Sequence, residues 1–233
     1  MEAQSSSSEA IVPKDNFYDQ LGLQYEKAFS HNPGYHRVIQ SFLELVPNDG
    51  HIFDCGCGTG KPVAHMIAES GRRVSGIDFS KTMVELSSQQ VQTGSFEQAN
   101  MLDYTPVDAL DGVVAAFSLF ELTREEITLM SHKWFEWLRP GGFLLIGTIG
   151  AEDCDTPPES YDPDGQFARD VQFTFMDQRV SMGLFTRAGW VAMLNEVGFK
   201  IIRTEIELFV PPSSDVCDDE LQYFVTVQKV SDA

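Results

Sequence analysis

The hydrophobic pattern changes character along the chain. After a polar, serine-rich start (Ser5 to Ser8), the apolar residues of 13–46 recur at helical spacing. Phe17, Tyr18, Leu21, Leu23 and Tyr25 mark one helical stretch. Past the breaker Asn32-Pro33-Gly34, Val38, Ile39, Phe42, Leu43 and Val46 mark a second. From Asn48-Asp49-Gly50 onward, short apolar runs alternate with amphipathic segments. Runs at 52–53, 74–77, 112–116 and 143–149 read as strands, and segments 63–69, 81–90 and 124–138 as helices. The 124–138 helix is the best marked. Thr123 and Glu126 have capping-box spacing, and Ile127, Met130, Trp134, Trp137 and Leu138 share one apolar face. Arg139-Pro140-Gly141-Gly142 then stops it. Alternating strands and helices predict a parallel sheet covered on both faces.

Residues 151 to about 183 read as irregular, with an acidic, proline-containing start. A helix over 187–196 ends at Gly198, and β-like runs at 201–210 and 221–230 follow. Their short link through Pro211-Pro212 suits an antiparallel pair at a sheet edge. No internal repeat stands out. The pattern divides into a disordered tail at 1–12 and a single domain at 13–233.

Composition narrows the partners. The 233 residues are 42% hydrophobic and 22% charged, as in a soluble globular protein. Asp and Glu number 35 against 16 Lys and Arg, a net charge of −19. Such a surface repels phosphate backbones and anionic headgroups, so neither nucleic acid nor a membrane is expected as a partner. Small molecules, cations and basic peptides remain. Cys55, Cys57, Cys154 and Cys217 fit neither a disulfide framework nor a zinc site, and reduced thiols suit a cytoplasmic location. Residues 1–10 lack the charged and apolar regions of a secretory signal. No run approaches the ~18 apolar residues of a membrane span.

The chemistry-bearing signal is Asp54-Cys55-Gly56-Cys57-Gly58-Thr59-Gly60, between a strand and a helix. Three glycines there let backbone approach a ligand closely, and N–H groups at a helix start favour an anion. A Walker loop fails twice, at Cys55 and at Pro62. A dinucleotide fingerprint from Gly56 fails at Lys61. The remaining pattern, DxGxGxG, resembles the class I S-adenosylmethionine-dependent methyltransferases. Four further segments follow in that family's order. Val74-Ser75-Gly76-Ile77-Asp78 is a strand ending in a carboxylate placed to accept from both ribose hydroxyls. Phe96 to Met101 is similar to the third-strand segment, Val113 to Ser118 to strand four, and Leu138 to Gly142 to the turn before strand five.

The resemblance implies a Rossmann-like α/β fold. Its seven-stranded, mostly parallel sheet has the order 3-2-1-4-5-7-6, with an N-terminal helical lid at 13–47. The implied cofactor is S-adenosyl-L-methionine. Its site would comprise the loop (Asp54, Gly56, Gly58 and Gly60), with Asp78, Phe79, Met83, Asn100, Met101, Phe117 and Ser118. Tyr18 and Tyr25 would close over it from the lid. Asn100 stands where the family usually has an aspartate toward the adenine amino group, and Asp103 is the other candidate.

The acceptor of such a fold sits beyond strands four and five. The Asn/Asp-Pro-Pro-Tyr/Phe segment of nucleic-acid amino-methylating enzymes is absent after strand four. Glu121 is the candidate catalytic base, with a solvated carboxylate complementing the helix dipole as the other reading. Tyr35, Phe120, Phe173 and Phe175 are candidate acceptor contacts, the last two from an insert at 151–185 lining the acceptor site. Glu121, Glu152, Asp153 and Asp155 are oxygen ligands in number, but they read as solvated loop charges, and no metal is expected. The expected reaction is methyl transfer to an O, N or S nucleophile of a small metabolite, by a monomer or homodimer. A protein methyltransferase acting on basic peptides and a non-catalytic cofactor-binding subunit remain the alternatives.

Overall fold

The computed structural model describes residues 14–29, 31–212, 217 and 219–230. The expected tail at 1–12 lies outside them. A seven-stranded sheet runs β3-β2-β1-β4-β5-β9-β8. Its strands are β1 (His51–Cys55), β2 (Arg73–Asp78), β3 (Ser95–Gln98), β4 (Leu110–Ala116), β5 (Leu138–Ile149), β8 (Phe199–Phe209) and β9 (Glu220–Lys229). All neighbours pair in parallel except β5–β9 and β8–β9. This is the expected order once the hairpin β6 (Phe167–Phe175) and β7 (Gln178–Phe185) is counted within the chain.

That hairpin corrects the sequence reading of an irregular 151–183 segment. Val171, Phe173 and Phe175 alternate with the exposed Gln172 and Thr174, the period of a strand with one covered face. Met176 and Asp177, at φ 52° and 60°, make the tight turn whose twist suits paired strands. The acidic, proline-containing start obscured this alternation. The N-terminal region is also more divided than its periodicity suggests. Helices α1 (Lys14–Leu21) and α2 (Leu23–Phe29) break at Gly22, at φ 47°. Asn32-Pro33-Gly34 is not a gap between helices but the start of α3 (Pro33–Leu43): Asn32 caps it, and Pro33 occupies the first turn, where no N–H is needed.

Local signals define the other helices. Ser80 caps α5 (Lys81–Gln90), and the Thr123/Glu126 box caps α6 (Arg124–Trp137). Such caps contribute about 1 kcal/mol each. Gly198, left-handed at φ 108°, closes α7 (Arg187–Val197), and α4 (Val63–Glu69) spans the residues its sequence predicts. The core lies on both sheet faces. Ile52, Val74 and Leu145 pack toward α3 and α4, while Phe53, Leu144 and Ile146 pack toward Trp134 of α6 and Trp190 of α7. Successive side chains of one strand serve opposite faces, which is why these strands read as continuous apolar runs. Among the described residues, no helix is long and apolar enough to cross a membrane.

Candidate active site

The carboxyl ends of β1, β2 and β4 converge on the loop after β1, the crevice where open α/β sheets bind ligands. Gly56 sits at φ 87°, and a Cβ there would lie 2.2 Å from Cβ of Ser118, the residue whose Oγ donates to the Cys55 carbonyl at 2.7 Å. Only glycine fits. The loop N–H groups, however, do not face outward as the sequence reading expects. Those of Gly56 and Cys57 donate to the Ile77 carbonyl, at 2.9 and 2.8 Å, and that of Gly58 to Oδ2 of Asp78 at 2.9 Å. With its donors engaged inside the fold, the loop is not an anion cradle. It suits a ligand without phosphates. Gly60 faces no ligand space either: it is buried against α5, where a Cβ would meet Ser87 at 3.1 Å. It packs against α5 and is not among the residues that line either cavity.

Two adjoining cavities open around this loop, with about 950 and 1300 Å³ of empty space. Tyr18, Tyr25, Gly56, Gly58, Ala116, Phe117 and Phe120 belong to both. Phe117 stands between them in a left-handed conformation, φ 55°, that non-glycine residues seldom adopt outside functional sites.

The larger cavity gathers Asp78, Phe79, Met83, Asn100, Met101, Ser118 and Glu121. Asp78 accepts from the Gly58 and Ser80 N–H groups at 2.9 Å each, one per carboxylate oxygen, leaving each oxygen a further lone pair. Burial holds its carboxyl above the usual range against those two donors. Asn100 is exposed, and its Oδ1 accepts from the Leu102 N–H at 3.0 Å. Asp103, the other candidate, is not among the lining residues. Glu121, exposed just before α6, lines this cavity, and its charge helps to push the Tyr18 phenol up.

The smaller cavity joins Asp54 and the loop to α2, α3 and the hairpin. Asp54 is 2% exposed, and its Oδ2 has no hydrogen-bond partner. Burial, then the charge of Asp78, push its carboxyl well above the usual range. This orphaned acidic group fits the cationic ammonium of a methionine moiety. Tyr35 is buried, stacked on Phe224 at 5.4 Å and edge-on to Phe117 at 5.3 Å. Phe173 and Phe120 line the wall, and Phe175 rests among Phe17, Tyr18, Tyr25 and Phe29, with ring centroids 5.6–6.4 Å away.

Ion pairs and hydrogen bonds hold the N-terminal helices down. Asp19 accepts from the Ser80 hydroxyl and from the Thr82 N–H, and Glu26 accepts from Gln90 at 2.6 Å and Lys61 at 3.4 Å. Burial pushes the Tyr18 and Tyr25 phenols up, so both are neutral donors at physiological pH. It also pushes the Cys55 thiol up to about 12, which leaves it an inert packing group. Glu152 and Asp153 pair with Arg187 at 3.1 and 3.3 Å, and among the described residues no His/Cys/Asp/Glu group suits a metal ion. Sequence reasoning missed Asn32, Glu220 and Gln222 in the smaller cavity. The Asn32–Gln222 hydrogen bond spans 190 positions, and no local pattern marks it.

Known proteins agree with this geometry. Residues 52–142 match the family model described as a methyltransferase domain. The chain is 30% identical to the putative methyltransferase YqeM of Bacillus subtilis over 55% of its own length and 54% of that protein. It is 35% identical to the O-methyltransferase resE of Aspergillus sclerotiorum, over 46% and 43% respectively. The chain thus spans about half the length of these curated relatives. In fold it is similar to the 1,6-didemethyltoxoflavin-N1-methyltransferase of Burkholderia thailandensis, solved with S-adenosylhomocysteine. That likeness has a TM-score of 0.63 at 14% identity, over 93% of this chain and 84% of that one. Sheet order, glycine loop, terminal carboxylate and the family match over residues 52–142 coincide, and together they support a class I S-adenosylmethionine-dependent methyltransferase.

Proposed function

We propose that the protein transfers a methyl group from S-adenosylmethionine to a small, largely apolar acceptor in the cytoplasm. The observation that carries this reading is the pair of cavities meeting at Phe117, one gathered around Asp78 at the strand ends and the other walled by aromatic rings. When bound, the cofactor supplies an electrophilic methyl group on a cationic sulfur.

The residues divide the work. Asp78 accepts from the ribose hydroxyls, and Phe79, Met83 and Met101 flank the adenine, with Asn100 at its edge. Asp54 meets the ammonium, and Gly56 and Gly58 let the chain come close. Tyr18 and Tyr25 cover the site. By holding the cofactor beside the aromatic cavity, these residues would supply acceleration chiefly through proximity and alignment. Phe120, Phe173, Phe175 and Tyr35 exclude water there and fit a flat acceptor. Among relatives, resE and cnsE of Penicillium expansum are named O-methyltransferases, which supports oxygen as the nucleophile.

The test is incubation with methyl-labelled S-adenosylmethionine and parallel panels of hydroxylated aromatics and lysine/arginine-rich peptides. Label on the small molecules is expected. Label on the peptides alone, falling steeply with salt, would replace this reading with a protein methyltransferase.

A further inference from the structure

We infer that Glu220 is the acceptor-facing proton acceptor of the smaller cavity and that the acceptor carries a hydroxyl on a planar, mostly apolar body. The inference rests on the cofactor reading above and adds the group that receives the acceptor's proton.

A backbone N–H can only donate, so the Tyr35 N–H, 3.0 Å from Oδ1 of Asn32, fixes that oxygen as acceptor and turns the Asn32 amide nitrogen away. That nitrogen donates to Oε1 of Gln222 at 2.7 Å, which directs the Gln222 amide nitrogen to Oε2 of Glu220 at 3.2 Å. Asn32 and Gln222 are 4% and 2% exposed, so neither amide turns freely. The capped start of α3 therefore aims a donor at the Glu220 carboxylate, which favours its ionised form.

Glu220 opens β9 and lines the cavity that also holds Asp54 and Gly56. Tyr25 of α2 and Cys154, just after β5, face it, both neutral at physiological pH because burial raises them. Around it stand Phe29, Tyr35, Phe117, Phe120, Phe173 and Phe175. A carboxylate that receives this donor in an aromatic chamber is placed to accept an O–H from a mostly apolar ligand. A hydroxyl arrives protonated at neutral pH and needs such a base. The O–H proton passes to Glu220, the oxygen lone pair forms the new O–C bond, and the methyl–sulfur bond breaks with its electron pair staying on sulfur.

The experiment uses the full-length protein saturated with S-adenosylhomocysteine and 4-nitrophenol as a chromophoric probe. Its phenolate absorbance is followed against pH in wild type, Glu220→Gln and Gln222→Leu. A carboxylate beside the probe disfavours phenolate, so the wild-type midpoint should lie at higher pH than that of Glu220→Gln. Turnover of hydroxylated aromatics should fall about 100-fold or more in Glu220→Gln, with S-adenosylhomocysteine binding unchanged. In Gln222→Leu the lost donor should move the acid limb of kcat to higher pH. Equal midpoints, undiminished turnover in Glu220→Gln, or no uptake of 4-nitrophenol by the loaded protein would overturn the assignment. Failure of wild type to bind S-adenosylhomocysteine would instead overturn the cofactor reading beneath it.

Discussion

The two cavities share a wall and little else. The larger is built mainly from short stretches at strand ends, Gly56 and Gly58, residues 77–79, 99–102, 117–118 and 120–122, joined to the rigid sheet by backbone hydrogen bonds. The smaller is assembled from α2, α3, the β6–β7 hairpin and the start of β9, where tilted and stacked aromatic rings meet. A ligand common to a whole family can be held by a local motif on a rigid edge. A ligand particular to one protein is held by whatever remote segments are folded over that edge. Backbone geometry defines the first cavity and side-chain volume the second.

The contrast breaks most severely at Gly56. Gly56→Ala adds a methyl 2.2 Å from the Ser118 Cβ at a positive φ. Overpacking of about 1–3 kcal/mol adds to a left-handed penalty of about 1–2 kcal/mol. We expect near-complete loss of S-adenosylhomocysteine binding and a lower thermal midpoint, read by calorimetry. Wild-type affinity would mean the loop is looser than this geometry.

Asp54 sharpens the comparison, because it joins the glycine loop to the smaller cavity and carries a stability cost there. Its folded-state carboxyl is raised well above the ordinary 3.8. A raised carboxyl contributes stability only below its unfolded value, and that contribution is lost as pH rises toward the folded one. Asp54→Asn should therefore melt higher than wild type at neutral pH, with the gap closing as pH falls toward 3.8, yet bind S-adenosylhomocysteine more weakly. Melting curves at several pH values check the sign.

Phe175→Ala removes the ring that ties the hairpin to Phe17, Tyr18, Tyr25 and Phe29. We expect altered acceptor preference and faster ligand release by several-fold, with the sheet's stability nearly untouched. The smallest effect belongs to Lys61→Ala. Its pair with Glu26 is 3.4 Å long and partly exposed, a type that contributes roughly 0–1 kcal/mol. A shift in S-adenosylhomocysteine affinity larger than a few-fold would show that the lid depends on this ion pair.

The same contrast explains what was legible in the sequence. Helices α4 and α5, the capping box and Asp78 follow from short-range patterns, because each is written within one strand–turn–helix unit, whereas the sheet order follows only from the family resemblance those units carry. Gly60 shows the limit of the motif: its conformation is demanded by Ser87 behind it, which no spacing reveals. The hairpin was readable from the alternation of Val171, Phe173 and Phe175, yet masked by the acidic residues before it. Asn32, Gln222 and Glu220 were illegible, since their meaning comes from a contact 190 positions apart in the chain.

On this reading the β1 loop and Asp78 hold S-adenosylmethionine and not a dinucleotide. Calorimetric titration of wild type and Asp78→Ala with S-adenosylhomocysteine, with NAD in parallel, tests it most directly. The account predicts micromolar-range binding to wild type, loss of about 1.5–3 kcal/mol for each ribose hydrogen bond removed in Asp78→Ala, and no heat with NAD. NAD binding, or equal S-adenosylhomocysteine affinity in both proteins, would contradict it.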